Sequence, residues 1–286
     1  MNLQKDAGIK PTGLLDSLTT NLFQTPRCGM NARQKRFVIV KGWDTPKNNL
    51  NETMVTWYLD LSNFDKIQSN MTKQVVRTIF STSMARWSNT SLLSLREGSN
   101  ENEANITIKF LEGNHGDGYD FDGPGQVLAH AFYPTSGTGG DAHFDLGEKW
   151  TLWGEEEGIS LFSVALHEIG HSLGLGHSSQ ENSVMYAWYR SKSTELQEDD
   201  KLAINNVYGL RPEYRFAPLD PKHRIYKPQI TTTQAPSTTT PFIKRFTTKN
   251  RVPTTTKRYK MDIFKKLLIQ NSRVYIYPKS TSSLSF

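Results

Sequence analysis

The chain has 286 residues, a formal net charge of +6 and a single cysteine, so an intrachain disulfide is excluded. Hydrophobic residues make up 36% and mean hydropathy is −0.56. Part of the chain is therefore expected outside any core, and no apolar run approaches the roughly 18 residues that would predict a membrane span. The charge is uneven: residues 211–286 hold 16 Lys/Arg against 3 Asp/Glu (+13), leaving −7 on residues 1–210. This is an acidic body with a basic tail, and no nucleic-acid partner is expected of it.

Residues 1–25 carry a helix-like pattern around Leu14, Leu15, Leu18 and Leu22. The stretch is too short to bury a core of its own, so it packs on something else or is a remnant. Pro26-Arg27-Cys28-Gly29 follows. A thiolate is a good zinc ligand; the alternative is an unpaired surface thiol. Arg33-Gln34-Lys35-Arg36 is a basic run placed between the Cys28 segment and a newly patterned one, which favours a dibasic processing site with Phe37 as the new N-terminus.

Residues 53–59 are predicted to form a strand. Val75, Val76, Ile79, Phe80, Met84 and Trp87 predict a helix over 71–88. Residues 92–95 and 106–111 predict further strands, and 112–150 is Gly-rich and acidic with three histidines. Helices are predicted over 158–174 and over 195–207, the latter with Thr194 as its cap. Residues 231–256 hold 11 Thr with Pro236, Pro241 and Pro253 interspersed, a composition that builds a stalk and no core. Four N-x-S/T sequons, at Asn51, Asn70, Asn89 and Asn105, are compatible with secretion.

The most informative stretch is H-E-I-G-H-S-L-G-L-G-H, His167 to His177. His167 and His171 are one helical turn apart on one face. Gly174 suits the left-handed backbone that closes a helix, after which the chain can turn back and bring in His177. Three neutral imidazoles suit a tetrahedral Zn²⁺ with one open position, and such a centre lowers the pKa of a bound water towards about 7. Glu168 can take that water's proton as general base. The alternative is an amphipathic helix with a polar face, but the third His at its fixed offset and Met185, eight residues on, extend the pattern to a metzincin signature with its Met-turn.

A second group is His115, Asp117, His130 and His143, a donor set zinc accepts in a closed site; the alternative is loop histidines on a polar surface. Asp122, Asp141, Asp145 and Glu148 lie among glycines, as Ca²⁺ sites do, or as a solvated acidic loop does.

Taken together, these motifs resemble the matrix metalloproteinases from about Leu3 to Leu210, with Ser178 after the third His as a further point of likeness. The resemblance implies an α+β metzincin zinc-peptidase fold: a twisted, mostly parallel five-stranded sheet with three helices. A propeptide remnant precedes it and a disordered tail follows. It implies three regions: 1–36, propeptide with cysteine switch and furin-type site; 37–210, catalytic domain; 211–286, basic Thr/Pro-rich linker and tail with no hemopexin-like pattern.

By the same resemblance, His167, His171 and His177 hold the catalytic zinc, with Cys28 on it in the latent form and Glu168 as catalytic base. His115, Asp117, His130 and His143 hold a structural zinc. Asp122, Gly123, Gly125, Val127, Asp145 and Glu148 hold a calcium, and Gly137, Gly139 and Asp141 a second. Ser163 lines the main specificity pocket, and Leu128-Ala129 lies on the cleft's edge strand. The sequence departs from the family at Met30, Asn31 and Ala32 after the Cys28 segment, at Asn105 where an Asp is usual, at Leu166 and at Ala187. The expected protein is a secreted zinc endopeptidase acting on extracellular matrix or other extracellular proteins. Tissue-inhibitor-type proteins and, through the basic tail, sulfated glycans are expected partners. The N-terminus lacks a signal-like apolar stretch, whereas furin-type processing belongs to the secretory pathway, so an incomplete N-terminus is expected. A catalytically dead matrix-binding module is the rival reading, and the presence of Glu168 argues against it.

Overall fold

The computed structural model describes residues 2–30, 40–135, 137–154, 157–191 and 193–211. The Arg33–Arg36 run, Phe37 and the basic tail beyond Arg211 lie outside them. In chain order the elements are α1 (Asn2–Asp6), α2 (Ser17–Gln24), β1 (Arg27–Cys28), β2 (Thr53–Leu59), α3 (Lys73–Thr90), β3 (Leu93–Glu97) and β4 (Ile106–Leu111). Then follow β5 (Val127–Ala131), β6 (Ala142–Asp145), β7 (Trp150–Thr151), β8 (Ile159–Ser160), α4 (Leu161–Ser172) and α5 (Glu198–Tyr208).

The α+β architecture expected of the chain is the one observed. A sheet of order β1-β5-β6-β4-β2-β3 is parallel throughout except for the antiparallel β5–β6 pair. Five of its strands fall within residues 53–145, and the sixth, β1, is added at the edge by the N-terminal segment. The three longest helices, α3, α4 and α5, lie after residue 40.

The pattern of burial explains the elements. In β2 alternate residues Thr53, Val55, Trp57 and Leu59 are buried, the period of a strand with one face on a core. The central strand β4 is buried on both faces, and its Ile106-Thr107-Ile108 run is correspondingly apolar and β-branched. In α3, Val76, Ile79, Phe80, Ser83, Met84 and Trp87 are buried at helical spacing, and the Thr72 side chain caps its start by accepting from Val75 N. Phe80, Phe110, Phe144 and Trp150 meet edge to face or tilted between α3 and the sheet. All twelve residues of α4 are buried, so this helix is enclosed on every side.

Two expectations need correction. Leu14 and Leu15 stand outside any helix and are exposed, as is Leu18; what orders residues 12–19 is polar. Gln4, nearly fully buried, donates to Thr12 Oγ1, Leu14 O and Thr19 Oγ1, and Asp16 caps α2. The last helix begins at Glu198 with Gln197 as its cap, not at Thr194. The reason is Asp200, which accepts from Gln197 N at 2.8 Å and so sets the first turn. The Arg211 guanidinium donates to the carbonyls of Ser88, Ser91 and Leu93 and pairs with the buried Glu52.

Asp200 is fully buried. Its carboxylate also accepts from Ser183 Oγ, Val184 N and Met185 N, tying α5 to the turn that carries Met185. Asp200→Ala strands several buried donors, each costing about 1–3 kcal/mol. Urea unfolding should show it among the most destabilising single changes in the chain, by at least about 2 kcal/mol. A loss below that level would show that these donors find other partners.

Candidate active site

The site begins where α4 stops. Ser160 caps the helix start by accepting from Ser163 N, and the helix runs to Ser172. Gly174 follows at φ +96°, and Leu175 N donates back to Gly170 O. Only a glycine takes this backbone easily, and the reversal carries His177 back towards His167 and His171. The imidazole Nε2 atoms then converge: His171 Nε2 is 3.1 Å from His167 Nε2 and 3.2 Å from His177 Nε2. The fully buried Met185 packs against α4, close enough that a side chain at Gly170 would meet its sulfur.

The tautomers follow from the hydrogen bonds. Nδ1 of His167 lies 2.7 Å from Val184 O and Nδ1 of His171 lies 2.7 Å from Leu175 O. A carbonyl only accepts, so each Nδ1 carries the proton and each Nε2 presents a lone pair. Burial pushes His167 down to about 4, and burial plus the neighbouring imidazoles push His171 and His177 well below the ordinary value. Neutral lone pairs at this separation repel unless a cation sits among them. Nitrogens about 2.0–2.1 Å from a tetrahedral zinc stand about 3.3 Å apart, and a sulfur at about 2.3 Å stands about 3.5 Å from a nitrogen. Cys28 Sγ is 3.5 Å from His171 Nε2, and all four ligand atoms lie within 4.8 Å of one another. The donor set fits zinc.

Glu168 is buried beside this cluster, with Oε2 3.7 Å from Cys28 Sγ. Burial raises its carboxyl to about 8, and burial and the Glu168 charge push the Cys28 thiol up.

Cys28 reaches the centre because β1 is threaded into the cleft. On one side Arg27 N donates to Gln126 O and Gly29 N to Ala129 O; on the other Cys28 N donates to Ala187 O and Tyr189 N to Pro26 O. Farther back, Ala7, Leu3, Ile9 and Leu22 pack on Tyr186, Ala187 and Trp188, and Tyr186 OH donates to Ala7 O. A pocket opens beside the centre, lined among others by Ser163, Val164, Glu168, Val184 and Tyr189. Ser163 Oγ donates to Ser191 O.

The second cluster is equally tight. His115 Nε2, His130 Nε2 and His143 Nδ1 lie 2.8, 2.8 and 2.7 Å from one oxygen of Asp117, with His130 and His143 nitrogens 3.3 Å apart. His115 Nδ1 faces Gly113 O at 2.9 Å, which leaves its Nε2 lone pair pointed at a carboxylate oxygen. A cation between them resolves that conflict. Burial lowers His143 to about 4 and also lowers His130; for Asp117 the upward push of burial is outweighed by Tyr119 N–H and the two histidines, so its carboxyl is held well below the usual range.

Asp122, Asp145 and Glu148 gather around the 122–127 loop. Gly123 N and Gly125 N donate to Asp145 and Glu148, and Val127 N to Asp122. Burial and the two neighbouring carboxylates raise Glu148 to about 7, against the one Gly125 hydrogen bond. Gly137 takes φ +79° in an exposed turn, Gly139 is buried against Thr135, and Asp141 Oδ1 accepts from Thr107 N. Asn105 turns its amide oxygen to Thr56 N and Oγ1.

Sequence reasoning missed the carbonyls of Val184 and Leu175, which set the tautomers, and Tyr133, whose ring meets His171 edge-on. Neither has a sequence signal: a carbonyl has no residue identity, and Tyr133 follows a strand with no periodicity to mark it.

The family model described as Matrixin matches residues 49–209. A probable matrix metalloproteinase of Invertebrate iridescent virus 3 is 40% identical over 239 residues, covering 77% of this chain and 66% of that protein. Matrix metalloproteinase-2 of Drosophila melanogaster is 39% identical over 255 residues, 80% of this chain and 31% of the relative. Matrilysin of Rattus norvegicus is 38% identical over 212 residues, 73% of this chain and 75% of the relative. The chain thus spans between about a third and three quarters of the length of these relatives.

Stripping metal from the folded chain with a chelator should lower Tm by several degrees, because the converging lone pairs are then left unopposed. Added Zn²⁺ at about a hundred times its Kd should restore about 2.7 kcal/mol. A Tm indifferent to chelator and zinc would mean that these histidines are held by the fold alone.

Proposed function

The chain belongs to the matrixin family of zinc metalloendopeptidases, and from that membership we propose that residues 37–210 form a secreted endopeptidase that cleaves extracellular proteins. The observation that carries this reading is Glu168, held beside three converging imidazole nitrogens with Cys28 between them. His167, His171 and His177 would hold the catalytic zinc. When bound there, zinc supplies Lewis acidity towards water and a peptide carbonyl, and its charge favours the ionised form of Glu168.

The rest is done by the protein. Glu168 takes a proton from the attacking water and returns it to the leaving amine. The edge of β5 at Leu128-Ala129 binds an extended peptide as an added strand, the mode β1 uses in the uncleaved chain. The cavity beside Ser163 receives one substrate side chain, and the small Ser163 leaves it room.

Residues 1–36 act as a propeptide. Cys28 occupies the reactive position until a furin-type cut after Arg36 releases the segment. His115, Asp117, His130 and His143 hold a structural zinc. The three carboxylates of Asp122, Asp145 and Glu148, with carbonyls of Gly123, Gly125 and Val127, hold calcium. Gly137, Gly139 and Asp141 offer a second, weaker calcium site with one carboxylate. Tissue-inhibitor-type proteins would close the same cleft.

A peptide-cleavage assay on the full chain, with zinc and calcium content measured alongside, tests this reading. Cys28→Ala should raise turnover above the uncleaved parent. Adding Glu168→Gln should lower turnover by at least about a hundredfold, with two zinc and at least one calcium per chain retained. Turnover unaffected by Glu168→Gln would remove this residue as the base, and equal activity with and without Cys28 would remove the switch.

The basic region 211–286, +13 by its residues, is proposed to bind sulfated glycans. The full chain should be retained on heparin at physiological salt, where the screening length is about 8 Å, and released by added salt. Residues 1–211 alone should flow through; identical elution of the two would sink the idea.

A further inference from the structure

β1 runs parallel to β5, with Cys28 opposite Ala129 and Gly29 lying against His130. A chain in that slot therefore heads along β5 past the metal cluster and towards its end at Ala131. Two residues beyond stands Tyr133. Its ring meets His171 edge-on, centroids 5.9 Å apart at 84°, and His171 Nε2 is itself 3.5 Å from Cys28 Sγ. The side chain is half-buried, yet its hydroxyl makes no hydrogen bond among the described residues. The hydroxyl is not among the buried unpartnered atoms, so it is open to solvent and can bond a bound chain without breaking a bond inside the fold.

Several polar groups around the cleft are used within the fold. The His167 and His171 Nδ1 atoms face carbonyls, Ser163 donates to Ser191, and the Tyr189 hydroxyl accepts from Ser160 N. Tyr133 has no such partner among the described residues and stands on the path an extended chain takes across the centre.

We propose that Tyr133 is a substrate-contacting residue whose hydroxyl donates a hydrogen bond to the backbone of the bound peptide where it crosses His171. This rests on the reading of the cleft as an endopeptidase site. A phenol hydroxyl is a hydrogen-bond donor at neutral pH. A hydrogen bond to the peptide backbone gives the same gain whatever the substrate side chains. The effect should therefore be common to all good substrates.

The test compares Tyr133→Phe with its parent in the zinc-loaded full chain carrying Cys28→Ala, on two peptides of unrelated side-chain sequence. The expected result is a fall in kcat/KM of at least fivefold on both, with zinc content and Tm unchanged. A smaller fall on either peptide overturns the proposal. So does a fall accompanied by lost zinc or a lowered Tm, because the hydroxyl would then serve the fold. An inactive Cys28→Ala parent would remove the endopeptidase reading, and this role for Tyr133 with it.

Discussion

Three imidazole nitrogens with their lone pairs turned inward, about 3 Å apart and shut away from water, are the constraint on which the surrounding structure depends. Left alone, the side chains would rotate apart. They are held by carbonyls: Val184 fixes one ring and Leu175 another. Each carbonyl is in turn held by a turn that needs its own support. The first comes from the fully buried Asp200, the second from the left-handed backbone at Gly174. Helix α4 is enclosed on all sides because it has to carry two of these rings without tilting. Trp87 on α3 steadies it by donating from its indole to Leu166 O.

The same logic, with a different supply of parts, builds the second cluster. There the four groups come from two paired strands and a loop: His130 and His143 face each other across β5 and β6, and His115 and Asp117 arrive from the loop between β4 and β5. Cross-strand pairing places two rings at a fixed distance, so the loop contributes only the remaining two groups. This couples the cluster to the cleft, because β5 carries His130 on one side of its backbone while its free edge pairs with β1.

Much of this was legible in the sequence where a local rule decides the outcome. The alternation in β2, the spacing of α3 and the His167–His177 signature with its closing glycine each depend on neighbours in the chain, and the elements appear within a few residues of their predicted bounds. What was not legible depends on partners far away in sequence. Thr194 looks like a cap, but Asp200 decides where α5 starts because it also holds the turn at Ser183–Met185. Leu14 and Leu15 look like helix positions, but Gln4 and Asp16 organise that segment through polar contacts. Cys28 could be read as ligand or loose thiol, and only the two-sided pairing of β1 places its sulfur by His171.

The two-sided pairing of β1 also has a consequence for dilution. While Cys28 belongs to the same chain as the cleft, the slot is filled by an intramolecular contact, for which tethers of modest length give an effective concentration in the millimolar range. Two short rows of backbone hydrogen bonds and one sulfur need only modest intrinsic affinity to keep the cleft occupied. A single break in the chain between Met30 and Val40 turns that contact into an ordinary encounter between two molecules at whatever concentration they happen to have. The segment then departs because the solution is large, with no change in any bond it makes, and its return is opposed by the same factor. Any irreversibility of release would thus be a property of chain connectivity, and the contacts themselves could stay weak.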